Sequence, residues 1–359
     1  MKTLRAIGLM SGTSLDGVDA ALLDTDGEGF IKPLGWVHIP YDADLRERTR
    51  ALFNREPDAA VARELTLVNA QAVKALLEKY ALSPADIDVI GYHGQTIAHA
   101  PERRYTCQLG DGPLLAEMTG IDVVNDLRLA DVKAGGQGAP LVPVYHQAMA
   151  AEMEKPVAIL NIGGVANATY IGANGELIAF DVGPGNALLD DWMMKHTDSR
   201  YDQDGATAAR GTVNEAALAQ LLADDYFSRP APKSLDRNHF SVAPLEGLPL
   251  EDGAATLAAF TVAGVAQSLA HFPAAPRQWL VAGGGRYNKF FMQKMAEKLG
   301  VPVSDIHAFG FNGDATEAEA WAYLAVRSLK GLPITFPLTT GIEAPMTGGV
   351  LHQASTRAA

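Results

Sequence analysis

The chain has 359 residues, 48% of them apolar and 20% charged, with a formal net charge of -13. That balance describes a globular protein of about two domains, and its negative charge argues against a general nucleic-acid binder and against anionic membrane surfaces. The single Cys107 leaves no internal disulfide or cysteine metal site and suits a reducing, cytoplasmic compartment. Polar residues interrupt the N-terminal apolar run before a signal-peptide core forms, and no apolar stretch reaches the roughly 18 residues that span a bilayer.

The first elements are two apolar runs, Ile7 to Met10 and Val18 to Leu23, around a turn of Ser, Gly, Thr, Leu and Asp. This is a strand, a polar turn and a strand. Gly12 and Gly17 let backbone approach a ligand closely, while Ser11, Thr13 and Ser14 add hydroxyls and amides suited to phosphate oxygens. It is no Walker loop, since it lacks Gly-Lys-Ser/Thr and the run after it stops too soon for a helix. An ordinary hairpin explains the composition equally well. Leu34 to Ile39 reads as a third strand, and Asp58 to Tyr80 as a helix with Val61, Leu65, Val68, Ala72, Val73, Leu76 and Leu77 on one face. Val89 to Tyr92 is a strand delivering His93-Gly94-Gln95-Thr96; a candidate site lies there, with a backbone-satisfied loop histidine as the plainer reading of His93. A strand (Tyr105 to Leu109), a helix (Pro113 to Thr119) and a strand (Ile121 to Asn125) follow. Asp126 to Pro140, with Gly135, Gly136 and Gly138, reads as an interdomain crossing.

The second half repeats the plan of the first: strand (Val157 to Ile162), Gly163-Gly164 turn, strand (Ala168 to Ile171), Asn174-Gly175 turn and strand (Leu177 to Phe180). Shared motif order implies duplicated domains facing each other across a cleft. Asp181 at the third strand's end, followed by Gly183 and Gly185, pins a carboxylate where chain passes close to a phosphate or sugar; hydrogen bonding to the turn amides is the alternative. Ala206 to Asp224 and Gly253 to His271 read as helices, and the region between them shows no interpretable pattern. After a strand from Gln278 to Ala282, Gly283-Gly284-Gly285 precedes a helix from about Tyr287, where a triplet admits a flat ligand or phosphate. Asp314 or Thr316 is expected to cap the last helix, with Glu317 favoured in its first turn by the helix dipole. The tail beyond Pro337 is expected to return to the first domain.

Together these elements resemble the acetate kinase, hexokinase, actin and heat-shock chaperone superfamily. GLMSGTSLDGVDAALLD, YHGQT, GGQGAPLVPVYH, LNIGGVANATY, FDVGPGN, YDQDG, VAGGGRYN and DATEA, spread over almost the whole chain, are more closely similar to the 1,6-anhydro-N-acetylmuramic acid kinase family. The resemblance implies an α/β fold of two duplicated actin-like (ribonuclease H-like) domains with mixed sheets flanking a nucleotide cleft. Residues 1–126 plus 336–359 would form the domain of the phosphate hairpin, and 127–335 that of the catalytic base and adenosine site. It implies a cytoplasmic, homodimeric enzyme of cell-wall recycling that takes ATP, Mg2+ and 1,6-anhydro-N-acetylmuramic acid, opens the sugar's internal ether with water and phosphorylates its 6-oxygen. A phosphohydrolase of the same superfamily is the alternative. By the same resemblance Asp181 is the catalytic base, and Gly12, Thr13, Ser14, Leu15, Asp16, Gly17, Val18 and Asp19 hold the phosphates. Gly163, Gly164, Gly183, Gly283, Gly284 and Gly285 border the nucleotide, His93, Arg128 and Glu317 contact the sugar, and Asp16 or Asp19 holds magnesium. Leu127 and Leu235-Asp236 depart from the family pattern, which has an aromatic residue and Thr-Gly there.

Overall fold

A computed structural model describes residues 2–355. Its contacts divide the chain into two units, residues 1–151 with 315–359, and residues 152–314. In unit 1 the strands are β1 (Leu4–Ser11), β2 (Gly17–Thr25), β3 (Ile31–Pro40), β4 (Val89–Ala100), β5 (Tyr105–Leu109), β6 (Val123–Asn125) and, from the tail, β7 (Val350–His352). The sheet runs β7-β6-β4-β1-β2-β3, with β5 added on β4. β1, β2 and β3 form an antiparallel meander, whereas β1, β4 and β6 are parallel. Pro33 and Pro40 lie inside β3, which the edge position tolerates because a missing N–H costs no ladder bond there.

Unit 2 repeats this order. Its strands are β8 (Val157–Ile162), β9 (Val165–Ile171), β10 (Leu177–Pro184), β11 (Trp279–Ala282) and β12 (Val303–Asp305), arranged β12-β11-β8-β9-β10. Again three antiparallel strands precede two parallel ones. The fold is therefore α/β, two duplicated actin-like units with mixed sheets, as the resemblance implied.

The boundaries differ from the expected 126/127 and 335/336. Residues 127–151 and 315–335 belong to unit 1, because the helix Thr316–Leu329 packs directly on β1 and β4. Two glycines permit this: a Cβ on Gly8 would meet the Ala318 carbonyl oxygen at 1.8 Å, and one on Gly91 the Trp321 carbonyl oxygen at 2.0 Å. The Asp126 to Pro140 stretch is accordingly no crossing; it forms the helix Leu129–Ala134 and a glycine loop within unit 1.

In unit 1 one face of the sheet is closed by the helix Ala59–Lys79, whose apolar stripe, with Leu65, Val73 and Leu76, is buried as its period predicts. In unit 2 the helix Leu250–Gln267 fills the same need. With its continuation to His271 it is long and apolar enough to cross a membrane, contrary to the expectation that no stretch would be, yet 67% of its most apolar window is buried inside the protein. Its Ala, Gly and Thr residues are enclosed on most sides, so no polar face is required. Of the helix expected over Ala206 to Asp224, only Glu215–Leu222 is α-helical.

Candidate active site

In unit 1 the turn between β1 and β2 holds its shape through few bonds. Leu15 N–H donates to the Gly12 carbonyl at 3.2 Å, and Leu15, at φ 57, is fully buried beneath the turn. Gln95 Nε2 donates to the same carbonyl at 3.1 Å, and Ser14 Oγ donates to Asp16 Oδ1 at 2.8 Å. The amides of Thr13 and Ser14 make no hydrogen bond among the described residues, and both side chains are exposed. Two unsatisfied donors on a small polar turn are what an incoming phosphate requires. Gly17 is a packing glycine, where a Cβ would meet the Ile39 carbonyl oxygen at 2.3 Å. Val18 is buried in the core, whereas the Asp19 carboxylate lies 2.9 Å from His38 Nδ1 and Asp16 is exposed.

His93 does not follow its strand but lies within β4. The register against β1 passes from Leu9↔Tyr92 to Ser11↔Gln95, one residue more on β4, and Gly94 at φ +72 absorbs the bulge. His93 Nε2 accepts from Arg128 Nε at 3.2 Å, with Arg128 Nη2 at 3.1 Å, so the proton of this neutral ring belongs on Nδ1. Nδ1 has no partner of good geometry, although the Ser11 and Gly94 backbone favours a donor there. Burial, then the neighbouring guanidinium, hold His93 well below its ordinary pKa.

Arg128 Nη1 donates to the Gly138 carbonyl at 2.7 Å, and the guanidinium lies 5.1 Å from the Trp321 ring centroid. Asp131 fixes that loop in turn, accepting from Gly138 N–H at 2.6 Å and from the Thr340 hydroxyl at 2.6 Å. No carboxylate pairs with Arg128 within 4.0 Å among the described residues, and burial lowers its pKa to about 10 against the opposing pull of Glu317 and Asp131. Glu317 is solvent-accessible but crowded; desolvation lifts its carboxyl above the ordinary range, with Arg128 opposing and Asp19 adding to the shift. The expected cap by Asp314 or Thr316 is not made. Ala315 occupies the cap position without a side-chain bond, and Asp314 is drawn to Arg286.

In unit 2 Asp181 lies inside β10 beside a second bulge, where the register passes from Ala166↔Gly183 to Asn167↔Asp181. Its Oδ2 accepts from Leu235 N–H at 2.8 Å, while Oδ1 has no hydrogen-bond partner among the described residues. Burial raises the carboxyl to about 6, with the Leu235 amide opposing.

The glycine turns of this unit are packed together. The Gly163 carbonyl accepts from Asn186 N–H at 2.7 Å, the Gly164 carbonyl accepts from Gly185 N–H at 3.0 Å, and Asn186 Nδ2 donates to the Ile162 carbonyl at 3.1 Å. Gly283, at φ +74, abuts Asn161 and Ile162, and a Cβ on Gly285 would meet Ile162 at 2.4 Å. Gly163, Gly164 and Gly284 have room for a Cβ, which would meet its nearest atoms at ordinary contact distances of 3.6–3.7 Å. Gly183 instead faces Gly264 and the Phe227 ring. The triplet does not open a long helix directly; a short 3-10 turn (Gly284–Tyr287) intervenes, and Asn288 caps the helix Lys289–Leu299. Arg286, its side chain fully buried, braces the triplet by donating to the Gly283 carbonyl at 2.8 Å and to Asp314 Oδ1 at 2.7 Å.

The model of the family described as anhydro-N-acetylmuramic acid kinase matches residues 4–354. The chain belongs to that family. A relative of this name from Rhizorhabdus wittichii is 55% identical over 98% of this chain and 100% of its own length. One from Rhodospirillum rubrum is 51% identical over 98% of this chain and 95% of its own. A more distant likeness joins this family member to the ROK hexokinase of Thermus thermophilus, at 16% identity over 90% of this chain and 100% of that one, with a TM-score of 0.39.

Sequence reasoning singled out the glycines and Asp181 as candidates but not Asn186, Arg286, Trp321 and Asp131, whose contacts hold the candidate loops and Arg128. Asn186 and Arg286 directly follow glycine runs, a usable signal, since a loop of glycines needs polar neighbours to tie down its carbonyls. Trp321 carries none, because Arg128 lies more than 180 residues away, and of the two partners of Asp131 only Gly138 is near in sequence, Thr340 being 209 residues away.

Proposed function

We propose that this kinase takes ATP and 1,6-anhydro-N-acetylmuramic acid, adds water to the anomeric carbon, and transfers the γ-phosphoryl group to the freed 6-oxygen. The products are N-acetylmuramic acid 6-phosphate and ADP. The observation that carries this reading is Asp181, one oxygen fixed by an amide and the other without a protein partner. Water attacks an acetal carbon well only when a base takes its proton, and the unpartnered Oδ1 of Asp181 would take it. The ether bond to the 6-oxygen then breaks, and that oxygen attacks phosphorus. The free amides of Thr13 and Ser14 would bind phosphate oxygens in place of water, as phosphoryl transfer asks mainly for positioning and charge stabilisation.

Arg128 supports an acidic substrate. It is a cation without an ion-pair partner among the described residues, and its His93 and Gly138 bonds leave two N–H groups for a carboxylate. Among the described residues no three potential metal ligands gather, so a magnesium ion suits one or two carboxylates completed by phosphates and water. Asp16 and Asp19 offer such hard oxygen donors on the hairpin and would hold it. When bound, magnesium supplies neutralisation of phosphate charge. A role in cytoplasmic cell-wall recycling follows from the same reading.

Turnover in oxygen-labelled water tests the proposal. Label at the anomeric carbon of the sugar phosphate and none in its phosphate is expected. Label in released inorganic phosphate without sugar product would instead establish a phosphohydrolase, a reading the relatives' names do not favour.

A further inference from the structure

The stretch from 225 to 250 has no sequence period, yet three of its residues converge on Asp181. The Tyr226 hydroxyl donates to the Asp181 carbonyl, Asp181 N–H donates to the Lys233 carbonyl at 3.0 Å, and Leu235 N–H donates to Asp181 Oδ2 at 2.8 Å. β10 is the edge of its sheet, so without this belt its outer backbone groups beside Asp181 would go unpaired.

The belt is fastened by a side chain. Lys233 Nζ donates to the carbonyls of Tyr226 at 3.0 Å and Phe227 at 3.1 Å, and lies 3.2 Å from His271 Nε2. It also sits 4.8 Å from the Tyr226 ring centroid. Two carbonyls accept from the ammonium, while His271 Nε2 accepts its third N–H in one tautomer and donates to the Phe227 carbonyl at 3.3 Å in the other; no carboxylate pairs with Lys233 among the described residues. Leu235 acts only through its amide, so the departure of Leu235-Asp236 from the family's Thr-Gly removes nothing Asp181 uses.

We propose that Lys233 is a positioning residue for Asp181, clamping the belt from Tyr226 to Leu235 so that Leu235 fixes one carboxylate oxygen and leaves the other to accept a proton. This rests on the reading of Asp181 as the base. Of the titratable and charged groups around it, Tyr226 bonds the Asp181 backbone, Lys233 holds the belt, and Arg229 and His271 bear on Tyr226 and Lys233; the Leu235 amide is the group that favours the ionised carboxylate.

The test is the titration of Asp181 in the full chain, read by carbon NMR of the labelled carboxyl and by the acid limb of kcat. In Lys233→Met both midpoints are expected to rise by roughly half a pH unit or more as the amide bond loosens. KM for ATP should stay within about twofold, and Lys233→Arg should restore the wild-type midpoint. A carboxyl midpoint that is unmoved or lowered overturns the proposal, whatever happens to the melting temperature. Should Lys233→Met not fold, Leu235→Pro removes the amide donor, together with some backbone freedom at Ser234, and keeps Lys233; the same rise is expected, and an unchanged midpoint overturns the proposal. Turnover surviving in Asp181→Asn would sink the base reading instead, and the carboxyl titration would still decide the belt.

Discussion

The two units share one strand order, and their first hairpins show what each does with it. In unit 1 the turn between β1 and β2 is long, keeps the Thr13 and Ser14 amides free and exposes two hydroxyls. In unit 2 the turn between β8 and β9 is only Gly163 and Gly164, and its carbonyls are tied to Gly185 and Asn186. Both turns have their carbonyls occupied, Gly12 in one and Gly163 and Gly164 in the other. Each leaves amides without a partner among the described residues, those of Thr13 and Ser14 in unit 1 and that of Gly164 in unit 2; what differs is the length of the turn and its two exposed hydroxyls. Unit 2 adds an unspent acceptor, the open oxygen of Asp181. Each unit also places a proposed site residue beside a bulge, His93 in unit 1 and Asp181 in unit 2. An extra residue re-aims a side chain at the cost of one ladder position, which a sheet tolerates near its functional end.

This contrast can be broken by substitution. The largest effect belongs to unit 2: Asp181→Asn should lower kcat by about 1,000-fold or more while ATP affinity measured by calorimetry stays the same. The catalysing form is the ionised carboxylate, so with a carboxyl raised to about 6 wild-type kcat should fall as pH drops through that value. A flat kcat profile between pH 5 and pH 7 would refute the assignment. In unit 1, Gly8→Val drives a side chain into the Ala318 carbonyl and should cost about 3 kcal/mol in urea unfolding. Arg128→Gln should raise KM for the acidic sugar about 10- to 100-fold, corresponding to the loss of a charged hydrogen bond, and leave KM for ATP unchanged; equal rises in both constants would count against a sugar-side role. The smallest effects compare two glycines. Gly283→Ala, at φ +74 and against Asn161 Oδ1 at 2.3 Å, should cost roughly 1–2 kcal/mol of stability, whereas Gly163→Ala, with its nearest contact at 3.7 Å, should cost a few tenths.

Much of this was legible in the residues. Alternating and continuous apolar runs marked the meanders of both units, and the repetition of strand, glycine turn and strand revealed the duplication before any contact was known. What failed shares a cause. Asp126 to Pro140 looked like a crossing because glycine and charge signal loops, yet Asp131 binds Gly138 and Thr340 and folds the stretch into unit 1. His93 and Asp181 looked like residues beyond strand ends because local pattern stops at glycine, whereas the strands run on through bulges. Asp314 met the local rule for a helix cap and was claimed by Arg286, 28 residues away. For Asp131 and Asp314 a polar partner distant in sequence outweighed the local preference, for His93 and Asp181 strand pairing did, and no periodicity records either.

The seating of the helix Thr316–Leu329 against Gly8 and Gly91 has a consequence for the order in which the chain is made. Residues 152–314 are contiguous and can close their core as soon as they have left the ribosome. Unit 1 begins first and finishes last: its two glycine-lined strands wait with an open face until residues 316–329 are synthesised. A nascent chain stalled with residue 314 clear of the ribosome and residues 316–329 still inside it would therefore carry a folded second unit behind a first unit still exposing part of its core, the nascent state most in need of a chaperone.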